Sequence, residues 1–225
     1  MSGETPPREY VESLLSKGAY KVSNQPTLEA YVDAQASGDG EYYFEANKAL
    51  LKIYNSQKSL ANTDKMATVL LLALVESYPS TDFLALSYLL PERYAASEPC
   101  KSVLECSQLL DSCQFVEFWA GLSKIPTEDA SLKALVGRST QKLQRGILQV
   151  LSFTYKSAKL DKVLTVLNLK DSAGLTQLKD PCLESVSGGT VVFKSTVDNT
   201  KRNRVFQEGL SYNAIANLMA KVSAE

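Results

Sequence analysis

Up to about residue 157 the apolar residues recur three and four positions apart and almost nowhere alternate, which predicts a run of amphipathic helices. Tyr10 or Val11 with Leu14 and Leu15 begins the series. Pro26 and Thr27 open a second helix, with Leu28, Tyr31 and Val32 on its face, and Ser37-Gly38-Asp39-Gly40 breaks the chain. A third helix carries Tyr43, Ala46, Leu50, Ile53 and Tyr54 along one side. Asn62 and Thr63 supply caps for a fourth, whose stripe is Met66, Val69, Leu70, Ala73 and Leu74. Leu71, Leu72 and Val75 make that helix apolar nearly all round, so it is expected at the centre, covered on both sides. Pro79-Ser80-Thr81-Asp82 ends it and caps a helix bearing Phe83, Leu86 and Leu90; Pro91 and Pro99 punctuate the loop that follows.

Pro99 then starts a helix with Val103, Cys106, Leu110 and Cys113, the two cysteines on one face as buried small hydrophobes. Phe115, Phe118, Trp119 and Leu122 follow at i, i+3, i+4 and i+7. An aromatic stripe at that spacing is read as core, not as a base-stacking or cofactor surface. Pro126 stops this helix. The last of the series covers residues 131–155, with Leu143, Ile147, Val150, Leu151 and Tyr155 facing inward. Seven or eight consecutive helices joined by short polar breaks predict a mainly α fold of stacked helical hairpins, HEAT-like in order. There is no self-similarity at a fixed period to mark a repeat.

The pattern changes after Lys159, so the chain is divided into a helical-repeat domain, residues 1–157, and a winged-helix domain with a C-terminal helix, residues 158–225. Leu160, Val163, Leu164 and Leu167 make a short helix, residues 168–171 a turn, and residues 172–179 a second short helix. Residues 183–186 and 190–193 read as a β-hairpin about Gly188-Gly189. Helix, turn, helix, hairpin is the order of a winged helix. The helix that would read DNA carries one basic residue, whereas phosphate contacts require several, so the module is read as a protein-interaction wing. Its hairpin strand, with Val191, Val192 and Phe193, is expected to leave an edge open for pairing with a neighbour. The closing helix, residues 208–223, presents Tyr212, Ile215, Ala216, Met219 and Val222, a stripe that packs on the wing or docks on a partner. Lys201, Arg202 and Arg204 form the one basic cluster, a solvated linker or a contact with RNA.

Composition narrows the chemistry. Lys and Arg number 24 against 25 Asp and Glu, so no net field draws the chain to nucleic acid or membrane. The most apolar stretch, residues 67–75, is nine residues, well short of the roughly 20 that span a bilayer as a helix. The start, residues 1–8, has no apolar signal core. Four cysteines without a Cys-x-x-Cys pair point to thiols in a reducing compartment. There is no histidine, which removes Ser-His-Asp and Cys-His nucleophile pairs and the usual catalytic zinc sites. Phosphate-binding glycine loops are absent too. Glu128-Asp129 is read as the acidic start of a helix before it is read as an acid–base pair. No enzyme, cofactor, metal or small-molecule substrate is expected, and the cytoplasm is the expected location.

Four segments, in order and spacing, carry a resemblance. They are Thr27-Leu28-Glu29-Ala30-Tyr31-Val32 with Gln35; residues 43–54, Tyr43 to Tyr54; Pro79-Ser80-Thr81-Asp82-Phe83; and residues 109–115, Leu109 to Phe115, leading to Phe118-Trp119. Together they resemble the subunit K family of eukaryotic translation initiation factor 3, over roughly residues 8–123 and more weakly through Thr154-Tyr155 and residues 215–220. The resemblance implies a helical-repeat domain followed by a winged helix, as in PCI-type subunits of the proteasome lid and COP9 signalosome. It further implies a non-catalytic scaffold within initiation factor 3, with subunit L and the small ribosomal subunit as partners. The alternatives are the equivalent small subunit of the lid or signalosome, or an RNA-binding winged-helix module.

Overall fold

The computed structural model describes residues 6–125, 130–178, 180–200 and 212–223. The stop at Pro126 and the helix start at Glu128-Asp129 lie outside them. Among the described residues nine α-helices precede the first strand: α1 (Arg8–Ser16), α2 (Gln25–Ser37), α3 (Phe44–Ser56), α4 (Thr63–Ser77), α5 (Asp82–Ser87), α6 (Glu92–Ala95), α7 (Cys100–Asp111), α8 (Phe115–Leu122) and α9 (Ala130–Thr154). Then come β1 (Ser157–Lys159), α10 (Leu160–Val166), α11 (Ser172–Leu178), β2 (Leu183–Ser187), β3 (Thr190–Phe193) and α12 (Tyr212–Val222).

The helices gather on α4. Its start is fixed by Asn62, whose side-chain oxygen accepts hydrogen bonds from the backbone N–H groups of Asp64 and Lys65 at 3.0 and 3.2 Å. All ten residues from Met66 to Val75 are buried, as expected for a helix apolar nearly all round. Such a helix is stable only with neighbours on every side, and α2, α5, α7 and α9 supply them. The pair α2 and α3 is keyed by a closed polar contact: Gln35 Nε2 donates to Asn47 Oδ1 at 2.9 Å and Asn47 Nδ2 donates back at 3.2 Å. Both amides are buried, and mutual pairing removes the penalty of hiding them. Gly38 ends α2 in the left-handed conformation, φ 99°, where a Cβ would lie 2.2 Å from the Arg138 guanidinium. Arg138 uses that approach to donate to the carbonyl of Gln35 at 2.9 Å, so α9 caps α2.

α9 runs back across the stack and carries the chain into the terminal module. Where it crosses the turn after α4, Gly146 leaves no room for a side chain: a Cβ there would sit 2.7 Å from the Tyr78 carbonyl oxygen. Glu76 at the end of α4 accepts from the Ser139 hydroxyl at 2.5 Å and pairs with Lys142. Burial would raise the Glu76 pKa, but the hydrogen bonds from Lys142 and Ser139 outweigh it and hold the carboxyl below its ordinary value.

Several expectations are corrected here. Cys113 is not on the face of α7 with Cys106: the helix ends at Asp111, and Cys113 stands exposed in the left-handed region at φ 58°. It forms the helix stop, with Cys113 N–H on Leu110 O at 3.0 Å and Gln114 N–H on Leu109 O at 2.8 Å. The stretch between Pro91 and Pro99 contains α6, and α5 ends before Leu90. Tyr10 and Tyr155 are exposed; Val11 is the residue α1 buries.

The terminal module holds the expected two helices and hairpin, plus a third strand. Gly188 and Gly189, at φ 57° and 74°, turn the hairpin with Ser187 opposite Thr190. The sheet order is β1-β3-β2, antiparallel throughout. β3 is therefore the central strand, and the expected open edge on residues 190–193 is overturned: Ser157, Ala158 and Lys159 already occupy it. Three residues between two helices were too short to show a period of two. The expected division at residue 157 falls inside β1, and the apolar core runs unbroken from the helices into the module.

Candidate interaction surfaces

The residues singled out for partner contact separate into two groups. Val191 and Phe193 are fully buried, because alternate residues of β3 point at the helices of the module; Val192 on the opposite face is half-buried. Val191 and Phe193 hold the module together and present nothing to a partner. Ile215 and Met219 lie on α12 and are exposed, as are Ala216 and Val222. Ile215, Met219 and Val222 fall at i, i+4 and i+7, which is one face of a helix. An apolar face left in water by the chain's own fold is the signature of an interaction surface. The expectation that this stripe packs on the wing is not met at these residues. Tyr212 opens α12. Lys201, Arg202 and Arg204 lie outside the described residues.

The module is seated on the helices through polar contacts between elements. Trp119 Nε1 donates to the carbonyl of Val166 at 2.9 Å, and Gln144 Nε2 to that of Leu167 at 2.9 Å. Both carbonyls are at the end of α10, where helical partners run out. Arg145 Nε donates to Leu178 O at the end of α11 at 3.2 Å, and Asn199 Nδ2 reaches Ser152 O at 2.9 Å. The aromatic stripe of α8 is core as expected, with Phe115, Phe118 and Leu122 buried. Trp119 adds an anchoring role the spacing did not reveal. α11, at the position of a DNA-reading helix, exposes Ser172, Ala173, Thr176 and Gln177, none of them charged.

The thiols are set for packing. Burial pushes Cys100 up to about 12 and Cys106 up to about 11, and it also raises Cys182. Tyr78 is pushed up to about 12 by burial. Among the described residues no group of three or more His, Cys, Asp or Glu is placed to hold a metal. No helix among them is long and apolar enough to cross a membrane.

Comparison with known proteins agrees with this architecture. Residues 61–202 match the CSN8/PSMD8/EIF3K family. Three relatives bear the name eukaryotic translation initiation factor 3 subunit K. The protein of Dictyostelium discoideum is 30% identical over 199 residues, 87% of this chain and 76% of the relative. That of Anopheles gambiae is 28% identical over 210 residues, 93% and 91% of the two chains, and that of Homo sapiens 25% over 202, 89% of each. The match takes in α4, the crossing helix α9 and the three-stranded module together, and on that ground the chain belongs to the CSN8/PSMD8/EIF3K family.

Proposed function

We propose that this protein is a non-catalytic scaffold subunit of translation initiation factor 3, acting in the cytoplasm through protein–protein contacts. The observation that carries the reading is the likeness to proteins named subunit K of that factor along 87–93% of the chain. The physical features accord with it. The fold invests its apolar residues in a helical stack and a wing, and it leaves an apolar stripe on α12 in water. The absence of histidine fits a chain with no nucleophile or metal chemistry to perform.

On this reading α12 docks by Ile215 and Met219 against helices of another subunit of the factor, with subunit L as the expected neighbour. The small ribosomal subunit is reached through the assembled factor. Affinity purification of the tagged chain, followed by mass spectrometry, tests the proposal. Recovery of initiation factor 3 subunits, with co-sedimentation on small ribosomal subunits, is the expected result. Recovery of signalosome or proteasome-lid subunits in their place overturns it.

A further inference from the structure

A second surface lies on the opposite side of β1 from β3. Lys156 O accepts from Phe193 N–H at 3.0 Å and Leu160 N–H donates to Gly189 O at 2.9 Å. In an antiparallel ladder the residues directed at the partner alternate, so Lys156, Ala158 and Leu160 face β3, while Ser157 directs its N–H and C=O and Lys159 its N–H the other way; the Lys159 carbonyl, at the N-cap of α10, accepts that helix's first bond. That outer side borders a groove of about 480 Å³. All three residues of β1 line it. Because successive side chains of a strand point to opposite faces, a groove that meets all three lies against the strand's edge.

The groove has an apolar floor and a basic rim. Phe115 of α8, Val150 and Leu151 of α9, and Val163 and Val166 of α10 form the floor. Lys159 and Lys162 stand at the rim, both exposed, and no carboxylate is among the lining residues. Among the described residues neither lysine makes an ion pair.

We propose that this groove binds an extended acidic peptide segment of a partner protein. The segment pairs, as a fourth strand, with the edge of β1 that no strand occupies among the described residues, seats alternate apolar side chains on the floor, and sets its carboxylates against Lys159 and Lys162. Strand addition supplies affinity through backbone hydrogen bonds, while the floor and rim supply selectivity. The groove is separate from the α12 stripe, and the proposal does not depend on membership of initiation factor 3.

Cys113 lines the mouth of the groove and is exposed, while Cys100 and Cys106 are buried. In a full-length Cys182→Ser chain the alkylation rate of Cys113 therefore reports occupancy. The probe is a short synthetic peptide alternating valine and glutamate, with the lysine-for-glutamate peptide and an oligouridylate as controls. The glutamate peptide is expected to slow alkylation at least severalfold, with the two controls inactive. Lys159→Glu with Lys162→Glu should weaken protection by about tenfold, as expected for two rim charges, and transfer the preference to the lysine peptide. Thr154→Trp, at an exposed lining residue, should abolish protection by filling the groove while leaving the thermal transition unchanged. Ser157→Pro removes a backbone donor from the outer edge and should weaken binding. No protection by the glutamate peptide at about 1 mM, equal protection by the lysine peptide, or protection by the oligouridylate each overturns the proposal. Unchanged binding by Ser157→Pro overturns the strand pairing.

Discussion

α4 and α12 are both rich in apolar residues, and the fold treats them oppositely. On α4 every residue from Met66 to Val75 is buried, whereas on α12 Ile215, Met219 and Val222 remain in water. The difference lies in the neighbours. α4 is encircled by helices of its own chain, so its apolar surface contributes to folding. The apolar side chains described as exposed on α12, Ile215, Met219 and Val222, contribute nothing to folding, and that leaves them available to a partner. Apolar character marks a helix for burial; the rest of the chain decides whether burial happens within one molecule or between two.

Substitutions on the two helices test this contrast. Leu70→Ala on α4 should lower stability by about 2–5 kcal/mol, since a fully buried leucine leaves a cavity. Chemical denaturation checks it, and a loss under about 1 kcal/mol would mean that α4 is less enclosed than its burial indicates. Gly146→Ala comes next. Glycine to alanine inside a helix normally stabilises by about 1 kcal/mol, but here the new methyl meets Tyr78, so a loss of about 1–3 kcal/mol is expected. A rise in the melting temperature would break the argument that α9 presses on the turn after α4.

Glu76→Gln removes the charge that ties α4 to α9 and should destabilise by about 1 kcal/mol at neutral pH. Because the folded pKa of Glu76 is depressed, its contribution is present above the unfolded value near 4.5 and fades as pH falls through the folded value. Wild type and variant should therefore converge in acid, and a gap that persists there would assign the effect to packing. The smallest effect on stability is expected on α12. Ile215→Glu with Met219→Glu should change the unfolding free energy by less than about 0.5 kcal/mol, as for surface positions. The same pair should abolish co-purification of initiation factor 3 subunits. A large loss of stability instead would place α12 in the chain's own core.

α2, α3, α4, α7, α8 and α9 were legible because each repeats its apolar stripe over enough turns for the 3.6-residue period to stand out, whereas the four residues of α6 are too few to show it. The central place of α4 followed from Leu71, Leu72 and Val75 filling the face that should have been polar. The β2–β3 hairpin followed from Gly188-Gly189. What sequence could not show was the partner of each strand. β1 has three residues, and its role is set by Val191 and Val192 more than thirty positions away. That hidden pairing turned Val191 and Phe193 from expected contacts into core. The polar cross-links were equally hidden, since nothing in the sequence marks Gln35 and Asn47 as a buried pair until α2 and α3 bring them together. Of the proposed contact residues, Ile215 and Met219 retain their place because helical spacing survives without any partner.

The indole of Trp119 has a spectroscopic consequence. It is the single tryptophan in 225 residues, and its N–H is held by the Val166 carbonyl at the end of α10. Intrinsic fluorescence excited in the red edge of the absorption band thus reports from one address, the seam between the helical stack and the terminal module. A shift in its emission during unfolding, or on addition of a partner, times the separation of those two parts without any label.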